Sequence, residues 1–125
     1  MADDIVPPDV REFILTHIES IAHLEALLLL MHQPDERWTA YGVAAHLYID
    51  EGQAKAVLDQ LCGERLLDCR DGDYWFNGDP PGRREIVEKL SSLYARHLIP
   101  VTNLVHAKPS GARAFAAAFK LRKDR

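Results

Sequence analysis

The sequence predicts a mainly helical fold that carries a small antiparallel hairpin and is extended by C-terminal helices. Three observations predict it. Apolar residues recur at spacings of three and four along most of the chain, the period of helices that bury one face. Asp71-Gly72 sits between two short apolar and aromatic runs, a strong short-range sign of a hairpin. The 125 residues, 47% apolar and 27% charged, suit a single unit with a core of its own.

The elements follow in chain order. Pro7-Pro8-Asp9 reads as a helix start, with Asp9 as the cap and Glu12 as its capping-box partner. Val10, Ile14, His17, Ile21, Leu24, Leu28 and Met31 form one continuous stripe, which predicts a single helix as far as His32, ahead of Pro34. A second stripe, Leu15, Ile18, Ala22 and Leu29, lies beside it. Two apolar faces require two packing partners: the domain's own core, and either the C-terminal helices or a second copy. Trp38 reads as a short strand, and Thr39 as the cap of a helix that turns Val43, Ala44 and Leu47 inward. Asp50 caps the next helix, over 51–64, whose buried set is Ala54, Val57, Leu58, Leu61 and Cys62. Gly63 suits its end. Residues 66–70 and 74–77 read as the hairpin strands, and 78–82 as a stiff exit loop. A helix over 83–97 presents Ile86, Val87, Leu90, Leu93 and Tyr94. Pro100 ends or kinks it and opens a short helix over 101–107. Residues 108–111 are a joint, and 112–125 are alanine-rich and helix-prone. The chain thus divides into a core over 1–79, C-terminal helices over 80–107 that pack on that core or on a dimer partner, and a basic helical tail over 108–125.

Charge follows the same division. Residues 1–79 carry five Lys/Arg against sixteen Asp/Glu, a net of −11, and residues 80–125 carry ten against three, a net of +7. An acidic body with a basic end points to self-docking or to an anionic partner for the tail. Cys62 and Cys69 form no metal-type CxxC pair and fit a reducing compartment. The acidic start resembles no signal peptide, and the apolar run from Leu27 to Met31 is too short to cross a bilayer. These features predict a cytoplasmic protein with no membrane partner.

Over residues 10–77 the order of helices, caps and hairpin resembles the winged helix-turn-helix superfamily. The phenylalanine-alanine and LRK-type end is similar to that of small uncharacterised bacterial winged-helix proteins. The resemblance implies duplex DNA as a partner, read by the second helix of the motif and gripped by a basic wing. This chain departs from that pattern. The outward face of the 51–64 helix is Gly52, Ala56, Asp59 and Gly63, flanked by Gln53, Lys55 and Gln60. Gln53 and Gln60 can read adenine and Lys55 can neutralise a phosphate, while the wing offers Arg70 against Asp68, Asp71 and Asp73. The small residues would admit a partner helix at close range. The plainer reading puts both glycines at helix ends, where they cost little.

In the tail, Phe115 and Phe119 share a helix face, with Arg113, Lys120, Arg122 and Lys123 around them. Three readings stand: packing on the parent domain, docking in a partner's groove, or nonspecific contact with nucleic acid. The six histidines show no HxxxH or HExxH spacing, and His17 reads as a hydrogen-bonded core histidine. A His46–Cys62–Cys69 metal site is sterically conceivable. No nucleophile elbow, phosphate loop or dinucleotide fingerprint occurs. The expectation is therefore a non-enzymatic regulatory protein of the transcription-factor type, without cofactor or metal, binding DNA weakly or atypically. The alternative is a winged-helix module for protein–protein interaction that does not bind DNA. A homodimer through the long helices is compatible with either.

Overall fold

The computed structural model describes residues 5–79 and 81–107; the tail and all its predicted contacts lie outside them. The described residues form six helices and one two-stranded antiparallel sheet. Helix α1 spans Pro8–His17, α2 Ile21–His32, α3 Ala40–Leu47 and α4 Glu51–Gly63. Strands β1, Leu67–Arg70, and β2, Asp73–Phe76, follow, and then α5, Arg83–Arg96, and α6, Leu98–Ala107.

The first predicted helix is corrected to two. Ile18 leaves the helical region, and Ser20 caps a new helix by accepting from the His23 amide. The α1 and α2 axes are bent by 112°. The stripe that spans the break is still buried at Val10, Ile14, Leu24, Leu28 and Met31, because each half faces the same core from a different direction. The predicted cap is also corrected. Pro7 is the N-cap residue of α1 and makes no side-chain cap, so the rigid prolines set the entry. Asp9 instead bonds its neighbouring amide and the Lys89 ammonium, at 2.7 Å, which holds its carboxyl below the usual range.

Helix α2 is the centre of the molecule. Leu24, Ala26, Leu27 and Leu30 are fully buried, and α3, α4, α5 and β2 all pack on it. One of its apolar faces is thus buried within the chain, while Ala22 and Leu29 of the second stripe stay half-buried. Helix α5 lies against α1 and α2 through Val87 and Leu90, and α6 closes over α1 and α5 with Val101 and Val105. No single described helix is long and apolar enough to cross a membrane.

The predicted hairpin is present, with Leu67 opposite Phe76 and Arg70 opposite Asp73, so that Asp73 joins the second strand. Asp71 and Gly72 both take positive φ, 53° and 87°, as a two-residue turn matched to strand twist requires. Trp38 adds a third, one-residue strand: it exchanges backbone hydrogen bonds of 2.9 and 2.8 Å with Tyr74.

Candidate functional site

The α3–α4 unit and the hairpin carry the candidate residues, and local sequence explains their placement. The Thr39 hydroxyl accepts from the Gly42 amide at 3.0 Å and the Asp50 carboxylate from the Gln53 amide at 3.2 Å, so both helices begin where the sequence predicts. Both end in a left-handed residue that is not glycine. Tyr48, at φ 59°, closes α3 with an Ile49 amide to Ala44 carbonyl bond, and Arg65, at φ 64°, closes α4 with a Leu66 amide to Leu61 carbonyl bond. Ala54, Val57, Leu58 and Leu61 turn into the core, and Gly52, Ala56, Asp59 and Gly63 form an exposed opposite face. Gly52 is the second residue of α4 and Gly63 the last, the helix-end positions of the plainer reading.

Lys55, Asp59 and Gln60 on this face are already engaged. Lys55 donates to Asp59 at 2.7 Å, one turn along the helix, and the Tyr74 hydroxyl donates to the other Asp59 oxygen. The Lys55 bond, followed by the Tyr74 bond, holds the Asp59 carboxyl below its usual range. Burial, reinforced by the Asp59 carboxylate, pushes the Tyr74 phenol up, and Asp59 likewise raises the Lys55 ammonium. The Gln60 side-chain oxygen lies 2.8 Å from His23 Nε2, and His23 Nδ1 lies 2.7 Å from the Ser20 hydroxyl. His23, only 8% exposed, therefore has both ring nitrogens satisfied, and Gln60 is the residue that does it from α4. Of the residues proposed for base or phosphate contact, Gln53, Lys55, Gln60 and Arg70 are all exposed, but Lys55 is paired with Asp59 and the Gln60 side-chain oxygen is bonded to His23. Arg113, Lys120, Arg122, Lys123, Phe115 and Phe119 lie outside the described residues.

The reading of the cysteines as free thiols is corrected. Cys62, half-buried near the end of α4, is bonded to Cys69 on β1, so the helix and the first strand are tied covalently. Cys62 is accordingly no core-facing apolar residue. The conceivable His46–Cys62–Cys69 site loses its thiolates, and His46 packs edge-on against Trp38 at 5.7 Å. His17 is hydrogen-bonded as expected, to Glu64 at 2.7 Å, but it is half-buried and not in the core, with its ring tilted against Phe13. The hydrogen bond ties α1 to the end of α4.

Sequence reasoning missed two residues. Tyr41 on α3 is 70% exposed and Tyr48 at its end is 94% exposed, seven positions apart. Their spacing resembles that of a core stripe, so only coordinates separate them from Val43 and Ala44. No protein-family model, curated protein or solved structure matches the chain.

Proposed function

We propose that the chain is a non-enzymatic winged-helix regulatory protein whose α3–α4 unit contacts another protein instead of reading duplex DNA. The topology supports the winged-helix reading: α2, the Trp38 strand, α3, α4 and the β1–β2 hairpin follow in that superfamily's order, with Trp38 paired to the second hairpin strand. One observation carries the choice of partner. The single cation of α4, Lys55, is neutralised by Asp59, on a face that is otherwise small or acidic. Duplex affinity comes largely from counterion release by several Lys and Arg, and this face has only the one, already paired. The exposed Tyr41 and Tyr48 supply what a protein contact uses instead, large amphipathic rings with few rotamers to freeze.

Titration of the full chain with random-sequence duplex at low and moderate salt tests the reading. The expected result is no binding through α4, and Asp59→Lys, which reverses the face charge, should create a salt-steep affinity. Salt-steep binding by the unaltered chain that disappears with Arg113, Lys120, Arg122 and Lys123 would favour the second reading, a regulator that holds DNA through its tail.

A further inference from the structure

An apolar groove runs between the start of α1 and the outer side of α5. Its volume is about 520 Å³, and Pro7, Glu85, Glu88, Lys89, Ser92 and Leu93 line it. That volume lies within the roughly 300–1,000 Å³ of cavities that take an organic group. The charge on its rim is negative. Lys89 is held by Asp9 at 2.7 Å, Glu88 approaches Arg84 only at 4.0 Å, and Glu85 makes no ion pair among the described residues. The groove therefore suits an apolar segment with cations at its edge.

The geometry points to residues 108–125 of the same chain as the occupant. They carry six Lys/Arg against Asp124, a net of +5, and place Ala112, Phe115, Ala116 and Phe119 at i, i+3, i+4 and i+7. That is the anchor pattern of a helix laid in a groove, with Arg122 and Lys123 one turn beyond the second ring. The point of departure fits too. Helix α6 packs on α1 and α5, the helices that form the groove, and ends at Ala107. The Lys108–Gly111 joint spans at most roughly 14 Å, so a helix from Ala112 must dock close by. By contrast, α3, which carries the exposed Tyr41, packs mainly on α4 and α2. Residues 1–4 precede Pro7 closely in sequence, but their Asp3 and Asp4 carry the same charge as Glu85 and Glu88 and do not suit this rim.

Zero-length carbodiimide coupling of the full chain, followed by peptide mapping, tests this inference independently of any DNA result. Lys120 or Lys123 should couple to Glu85 or Glu88 within a single chain. The Lys89–Asp9 and Lys55–Asp59 pairs, both at 2.7 Å, are the internal controls that coupling works. Phe115→Ser with Phe119→Ser alters only the tail, and it should lower the tail-to-groove yield roughly a hundredfold, since each of the two lost ring anchors weakens closure about tenfold. Coupling of the tail lysines mainly to other carboxylates such as Asp50 and Glu51, coupling between chains, no tail coupling while the controls react, or a yield unchanged in the double variant would each overturn it.

Discussion

Tyr48 combines two costs that the fold does not require. A non-glycine residue in the left-handed region is strained by about 1–2 kcal/mol, and at 94% exposure the ring gains no packing in return. Tyr48→Gly should therefore raise stability by about 0.5–1 kcal/mol in urea unfolding, after the greater chain entropy of glycine is deducted. A loss of stability would show that the ring packs on the body. Strained residues collect at functional sites, and this one stands two residues before the Asp50 cap of the proposed contact helix. Tyr94 is the opposite case, a tyrosine whose place is structural. Burial, then its 3.0 Å hydrogen bond to Glu25, pushes the phenol up to about 12. The folded state thus favours the neutral phenol over the unfolded chain, where ionisation falls near 10.0. The resulting stabilisation is fully present below that value and is lost as pH rises through about 12. Ultraviolet titration should show a tyrosine step near 12 that Tyr94→Phe removes, with about 1 kcal/mol of stability lost at neutral pH.

The disulfide sets the relation between α4 and the hairpin. It joins positions seven apart, so the ring it closes is small, and the chain-entropy estimate of its contribution is roughly 2–3 kcal/mol. Thiol titration of the native protein without reductant should find none free, and reduction should expose both and lower the urea midpoint. Two reactive thiols in the untreated protein would remove the covalent tie. Much of this architecture was legible in the sequence. Thr39, Asp50 and Asp71-Gly72 act through bonds to neighbours a few residues away, so their roles can be read locally. The rest depends on distant groups. The apolar stripe continues in register across residues 18–20 and hides the Ser20 cap that restarts the helix. Neither the bonding of Cys62 to Cys69 nor the use of Gln60 by His23 follows from spacing, because both arise where α4 meets another element. The site was legible to the same degree. The small and acidic face of α4 came from periodicity, whereas the exposure of Tyr41 and Tyr48 came only from packing.

At the scale of the whole molecule, charge and burial set different tests for the tail. The full chain has a formal net charge of −4, and removing residues 108–125 takes away a net of +5, leaving −9 on a body of the same size. Self-repulsion in the compact state then rises, and it is strongest where screening is weakest. The Debye length shortens from about 30 Å at 0.01 M to about 10 Å at 0.1 M salt, so added salt should restore part of the stability lost on truncation. The apolar part of the loss should not respond in this way. If Phe115 and Phe119 are buried against the body, the shortened chain stays less stable than the full chain at high salt, because salt does not screen the hydrophobic term. Urea midpoints of the two chains measured across this salt range should therefore converge without meeting. Complete convergence would reduce the tail to a neutralising charge, and coincident midpoints at every salt concentration would mean that it contributes neither charge nor contact to the body.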